Sequence, residues 1–390
     1  MSFTLSAAKG VDFVDREDIL KEMHATLTDP KINVGYALYG KRRVGKSSIL
    51  LELQRRLKKN KKVVVVYISV WDLVENTLEE FSLKLADLVV EEYRPLLGIS
   101  HKLSNLKKVP GTMVHKILSE MKIGVSLTEE IEFFIMHYQE RKTSSHELLD
   151  AAFTLAEKFA KKTKTKCILF IDEFPSITEV KVNGSHAGEA IIRKIRSIQE
   201  QQKNTVICLS GSLRHTMNLT VFTSTSAFYR QLKPLKINLL EDKYIRQIIT
   251  KELGRERITE DALNTISNFT HGMPFYAQAL GLELKRYHDK ITEREVKEGI
   301  NTFLENTGNI LFNNELKQLA PKERLIVVTL STKDFTSYSE IQDDLSGEIS
   351  NIGTFLKSLE EKAVVEKSKG GEYTIADPIF KEWVKRRYGD

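Results

Sequence analysis

The residues best suited to chemistry lie in a short basic run, Gly40-Lys41-Arg42-Arg43-Val44-Gly45-Lys46-Ser47. It fits the pattern G-x-x-x-x-G-K-[ST]. Glycines at this spacing let the backbone wrap a phosphate with its N–H groups turned inward. Lys46 is placed to reach β- and γ-phosphates, and Ser47 to offer its hydroxyl to Mg²⁺. A second pair, Asp172-Glu173, follows the apolar stretch Cys167-Ile168-Leu169-Phe170-Ile171. Asp172 suits work on Mg²⁺, directly or through water. Glu173 suits the orientation and deprotonation of an attacking water. A third candidate is Ser210-Gly211-Ser212 at the end of "TVICLSGS". It is either a hydroxyl that meets a γ-phosphate or its attacking water, or a turn made of small residues.

These groups need elements to hold them. A phosphate loop follows a buried strand and opens a helix. Val34–Tyr39 reads as that strand, and Ile49, Leu50, Leu53 and Leu57 recur at helical spacing after the loop. A continuous apolar run marks a strand buried on both faces of a parallel sheet. "KCILFIDEF", "VVVVYISV" (ending near Asp72) and "TVICLSGS" all have that form. Acids at the carboxyl end of such a strand lie where open α/β sheets bind ligands. Upstream, Ile19, Leu20, Met23 and Leu27 share one helical face, with Asp15 placed as the helix cap.

Composition sets bounds. A chain of 390 residues holds two or three domains, and 41% hydrophobic residues are enough for real cores. Lys+Arg 59 against Asp+Glu 53 gives +6, which permits an anionic partner without demanding one. No apolar run approaches the ~18 residues of a membrane span. "MSFTLSAAKG" lacks the basic start and apolar core of a signal peptide. Cys167 and Cys208 both lie in apolar strand-like runs and read as small buried hydrophobes rather than a disulfide or metal pair. A cytoplasmic protein with no membrane partner is the expectation.

Taken together, "FVDRED", "GKRRVGKSSIL", "ILFIDEF", "LSGS", "FYR" and "HGMP" resemble the archaeal ATPase family within the STAND/AAA+ branch of P-loop NTPases, relatives of archaeal origin-initiator ATPases. The resemblance covers nearly the whole chain. It implies an α/β fold: an AAA+-like parallel-sheet core, a helical lid and a C-terminal winged helix. It also implies an ATP-hydrolysing enzyme using ATP and Mg²⁺. ATP rather than GTP rests on this resemblance alone. Gly40, Arg42, Arg43, Val44, Gly45, Lys46, Ser47 and Ser48 then form the phosphate site, with Ser47 and Asp172 toward the metal. Val14, Arg16 and Glu17 border the adenine, and Pro274 of Gly272-Met273-Pro274 sits in the lid near the base. Ser212 is the γ-phosphate sensor, with Ser210 in reserve. The family usually shows Tyr-Gly-Arg before the last core strand, and Tyr229-Arg230 lacks the Gly. Arg230 is therefore either an arginine acting on the γ-phosphate of its own or a neighbouring subunit, as in a homo-oligomer, or a surface residue.

Along the chain, residues 1–240 read as the nucleotide core, with an insertion at about 100–150. That insertion starts with the basic stretch "HKLSNLKKVPGTMVHK", and "KIGVSLTEEIEFFIM" has the partial alternation of a strand hairpin. Residues 241–315 are helix-patterned, as a lid would be. From 316, three helical segments and two strands round Gly370-Gly371 make a winged helix, closed by the basic helix "DPIFKEWVKRR". Residues 321–390 carry 11 Lys+Arg and 13 Asp+Glu, a balance of −2. A dedicated DNA reader is usually basic. Double-stranded DNA and a protein both remain open as partners. The expected function is an ATP-driven switch, with a DNA-binding protein holding nucleotide as a slow or structural ligand, or a protein-docking scaffold, as the rivals.

Overall fold

The computed structural model describes residues 3–98, 131–134, 137, 144–212, 217, 228 and 231–389. Five parallel strands form an open sheet in the order β2-β3-β4-β1-β5. They are β1 (Gly35–Gly40), β2 (Val63–Ser69), β3 (Lys166–Asp172), β4 (Thr205–Ser212) and β5 (Leu232–Lys236). The apolar runs of β1 to β4 are continuous because both faces are covered. Ile168 and Phe170 of β3 point into one layer with α1 (Glu17–Thr28) and α2 (Lys46–Leu57). Cys167, Leu169 and Ile171 point into the other, with α3 (Leu78–Leu97), α4 (Ser145–Thr163) and α5 (Gly188–Gln201). Cys208 lies in the α1–α2 layer, so the two buried cysteines face opposite sides of the sheet and remain free thiols. Burial pushes each thiol up to about 12. β5 carries Pro234 and is the edge strand, the place a sheet tolerates a missing N–H.

Helices α6 (Asp242–Leu253), α7 (Glu260–Thr270), α8 (Pro274–Leu284) and α9 (Glu293–Glu305) follow, then α10 (Thr307–Lys317). The C-terminal module is α11 (Pro321–Ser331), α12 (Tyr338–Asp344), α13 (Ile352–Glu361), the antiparallel pair β6 (Val365–Lys367) and β7 (Tyr373–Ile375), and α14 (Pro378–Tyr388). An antiparallel bridge from Thr336 to Tyr373 sets a third short extended segment beside the hairpin. One apolar core runs from α6 through α14 without a break. Phe312 of α10 joins its halves, with ring centroids 6.4 Å from Tyr276, 5.5 Å from Phe380 and 5.8 Å from Trp383. Lid and winged helix are therefore packed as one body.

Two local expectations change. Helix α1 begins at Glu17 with Arg16, not Asp15, as its N-cap residue, and no side chain caps it. Asp15 and Arg16 both have positive φ, so the chain turns sharply there and carries the Asp15 side chain out of capping position. In the inserted segment, residues 131–134 are helical rather than extended. The buried Ile131 and Phe134 are three residues apart, a spacing that seats both on one helical face. The rest of the expected hairpin, and the basic stretch at 102–116, lie outside the described residues.

Candidate active site

The phosphate loop leaves β1 at Gly40 and enters α2 at Lys46. A Cβ on Gly40 would come within 2.4 Å of the Ile237 carbonyl oxygen, so only glycine lets the two chains pass. Gly45 has φ +90 and is the N-cap residue of α2, turning the N–H groups of the first helical turn toward the loop's mouth. Lys46 is 5% exposed, and its Nζ donates to the carbonyls of Gly40 (3.2 Å) and Lys41 (2.8 Å).

Above the loop is a cavity of about 310 Å³. Val14, Arg16, Arg43, Val44, Gly45, Lys46, Ser47, Ser48, Glu173 and Pro274 line it together. Residues from the N-terminal segment, the loop, the end of β3 and the lid thus converge on one cavity. Pro274 opens α8 after the positive-φ Gly272, and its ring lies 3.6 Å from a Cβ built on Gly45. Arg16 donates to the Asn238 carbonyl, and its burial pulls its pKa down. Glu17 does not line the cavity; it pairs with Arg56 at 2.6 Å on the surface. Tyr229 and Arg230 lie outside the described residues.

Asp172 is 3% exposed at the tip of β3. Glu173, next to it, holds φ +50 and ψ 41, and its N–H donates to Asp172 Oδ1 at 3.0 Å. The two serines of β4 separate. Ser210 donates its hydroxyl to Asp172 Oδ1. Ser212 is buried, and its Oγ has no hydrogen-bond partner among the described residues. Because β4 lies between β1 and β3, that hydroxyl sits between the loop and the acids. Ser212, Gly40 and Arg42 line a second cavity of about 520 Å³, on the winged-helix side of the loop.

The loop's cations have partners that their spacing did not announce. Arg43, at φ +64, directs its guanidinium to Glu315 of α10 and Asp377, the N-cap residue of α14. Arg42 reaches the same Glu315 at 3.3 Å, and Lys41 reaches Glu366 of β6 at 2.9 Å. Tyr276 of the lid also donates to Asp377. Burial works against the Arg43 charge, but Tyr276, Asp377 and Glu315 outweigh it and raise its pKa. Arg42 and Arg43 are expected on phosphate; here their head groups join the core to the lid–winged-helix body, and the nearly buried Arg43 guanidinium in particular needs anionic partners.

The N-terminal segment is an unforeseen part of the site. Thr4 to Ala8 line the cavity. Thr4 N–H donates to Gln278 Oε1 (3.1 Å) and Ala8 N–H to Ser48 Oγ (3.1 Å). "TLSAA" carries no chemistry of its own; the one signal was Gln278, a buried polar residue in the largely apolar lid helix "PFYAQALGLEL". Trp71, 55% exposed beyond β2, also borders the cavity.

Mg²⁺ fits this donor set in one way. Among the described residues no group of three His, Cys, Asp or Glu could hold an ion unaided. A cation here would draw on Ser47, on water ordered by Asp172, and on phosphate oxygens, the habit of Mg²⁺ in nucleotide sites. Among the described residues no helix is long and apolar enough to cross a membrane.

The whole chain resembles solved structures. A Walker-type ATPase of Pyrococcus abyssi superposes with a TM-score of 0.71 at 18% identity, over 99% of this chain and 100% of that one. The ORC2 protein of Aeropyrum pernix, in its ADPNP–ADP complexes, gives 0.56 at 12% identity, over 98% and 97%. No curated protein matches the chain. Residues 13–280, which contain the loop, the acids and the first part of the lid, match the family described as an ATPase domain predominantly from Archaea. The chain belongs to this archaeal ATPase family.

Proposed function

We propose that the chain is a nucleotide-operated switch, in which ATP binding and hydrolysis move the lid and winged helix as one body against the sheet. The observation that carries this reading is the set of ion pairs from Lys41, Arg42 and Arg43 to Glu366, Glu315 and Asp377. The same loop that would hold the phosphates holds the C-terminal body. In this reading Lys46 binds the β/γ-phosphates, Ser47 and Asp172 serve Mg²⁺, Glu173 activates water and Ser212 senses the γ-phosphate. Arg230 acts on the γ-phosphate in cis or across a homo-oligomer. The test is small-angle scattering on the whole protein without nucleotide, with ADP–Mg²⁺, and with ATP–Mg²⁺ on the Glu173→Gln variant. A change in radius of gyration between states is expected; three superimposable curves would end the switch reading.

A DNA-directed output has one specific support. Ser350, Asn351, Thr354 and Lys357 are exposed on and just before α13, and Lys367 and Lys369 are exposed on the wing. Against it, Arg386 and Arg387 are engaged with Glu382, Asn301 and Asn309. Contacts would then be mostly to phosphates, weak and salt-steep. Replacing Lys367 and Lys369 with Ala should flatten the salt slope by up to about 2 units, roughly 0.9 per contact. Fluorescence anisotropy on a labelled duplex at several salt concentrations reads this. No binding at low salt by the parent protein would instead favour a protein partner for the winged helix.

A further inference from the structure

Alternation places Tyr67 of β2, Asp172 of β3 and Ser210 of β4 on one face of the sheet, the face that packs against α2 and so against the phosphate loop's helix. Tyr67 OH donates to Asp172 Oδ2 at 2.6 Å. Ser210 donates to Oδ1 from the strand on the other side, and Glu173 N–H also donates to Oδ1. The carboxylate is therefore gripped from both flanking strands and from its own chain. It has roughly four lone-pair directions, and three meet protein donors, leaving one for a ligand. The donation from Glu173 N–H belongs to the left-handed turn that fixes where the Glu173 side chain leaves the backbone, a conformation held only where its surroundings over-determine it.

We propose that Tyr67 is a positioning residue of the hydrolytic site: it fixes the rotamer of Asp172, and through Asp172 the backbone turn that aims Glu173. The inference rests on the reading that Asp172 serves the metal and Glu173 the water. Neither Tyr67 nor Asp172 lines the nucleotide cavity, whereas Glu173 does, so an influence of Tyr67 on turnover passes through Asp172 to the Glu173 turn. The bland alternative is that a half-buried tyrosine merely needs an acceptor for its hydroxyl.

Tyr67→Phe keeps the ring and its packing and removes only the donor. Loss of a group that orients a metal-site carboxylate typically costs about 10–100-fold. The expected result is a fall in kcat of that order with KM for ATP nearly unchanged. A fluorescent ADP analogue should bind with parental affinity in EDTA, while the Mg²⁺ concentration at half-saturation of its metal-dependent signal rises. Parental kcat and Mg²⁺ midpoint in Tyr67→Phe would overturn the proposal. So would a loss of analogue affinity in EDTA matched by a lower Tm, which marks a structural role. Asp172→Asn separates the two levels: if it leaves the Mg²⁺ midpoint unmoved, the metal reading of Asp172 fails and the proposal with it. If Asp172→Asn moves the midpoint and Tyr67→Phe does not, only the positioning role of Tyr67 falls.

Discussion

Lys46 faces a choice of acceptors. Its Nζ now donates to the loop's own carbonyls at Gly40 and Lys41. Phosphate oxygens carry charge and make the stronger bond. Lys46→Ala should therefore lose on the order of 1.5–3 kcal/mol of nucleotide binding, the range for a hydrogen bond to a charged group. Unchanged ATP affinity by calorimetry would remove the loop from the mechanism. Glu173→Gln should bind ATP as the parent does and turn it over about 10²–10⁴-fold more slowly, because the amide holds a water but cannot take its proton. Full turnover in single-cycle assays would move the base elsewhere. At this scale the sequence is a good guide to positions fixed by neighbours along the chain. Gly40, Gly45, Lys46 and the Asp172-Glu173 pair are legible because motif spacing is local. What Arg42 and Arg43 touch is not, since Glu315 and Asp377 lie hundreds of residues away. Nor can spacing separate Ser210 from Ser212; the difference is a hydrogen bond to Asp172 made by one and not by the other.

At the scale of elements, the N-terminal segment is held like a strap across the site, and Glu52 of α2 is its buckle. Glu52 is 1% exposed and accepts from Gly10 N–H at 2.7 Å, with Arg55 and Arg56 on the same carboxylate. Burial pushes its pKa up, but hydrogen bonds from the two arginines and from Gly10 outweigh that and bring it down to about 2. A depressed carboxylate stabilises the fold above its unfolded value, near 4.5, and loses that contribution as pH falls toward 2. Glu52→Gln should cost about 1–3 kcal/mol at pH 7. Its urea midpoint should also fall less steeply than the parent's between pH 5 and 3. Parallel curves would mean that Glu52 titrates alike in both states. The strap itself is hard to read in advance, because residues 4–8 act through backbone N–H groups that any side chain would offer. Strands β1 to β4 are easy to read, because burial on both faces writes them as continuous apolar runs; the edge strand β5, "LKPLK" and largely exposed, has no such run. Residues 131–134 mislead because a short segment with imperfect alternation also satisfies an i, i+3 pattern.

At the scale of the molecule, two bodies meet across the phosphate loop. The sheet with its two helical layers is one; the lid and winged helix, sharing one core through Phe312, are the other. The helices of 241–315 and the wing turn at Gly370-Gly371 are legible from pattern, but their fusion into one body is a matter of which apolar faces meet. Their contact includes Arg43, 10% exposed, between Glu315 and Asp377. Replacing both acids by isosteric amides isolates the electrostatic part of that contact. Asn at 377 can still cap α14 through its side-chain oxygen, as Asp377 now does for the N–H groups of Ile379 and Phe380. Gln at 315 keeps the length and shape of the side chain. The double variant Glu315→Gln, Asp377→Asn leaves the Arg43 charge buried without a counter-charge, a loss that costs about 3–5 kcal/mol when a buried pair is broken. The closed arrangement should give way first, since the bodies are each held by their own cores. Scattering should then show a larger radius of gyration without nucleotide, at an unchanged helix content by circular dichroism. Arg43, released from the acids, becomes available to phosphate, so ADP should bind more tightly, about tenfold for each 1.4 kcal/mol recovered. Calorimetry with ADP decides between two roles for Arg43. Tighter binding with expansion means that phosphate and the C-terminal acids compete for one guanidinium. Expansion with unchanged affinity means that Arg43 is a structural tie only, and that any coupling of nucleotide to the winged helix must run through the lid at Pro274.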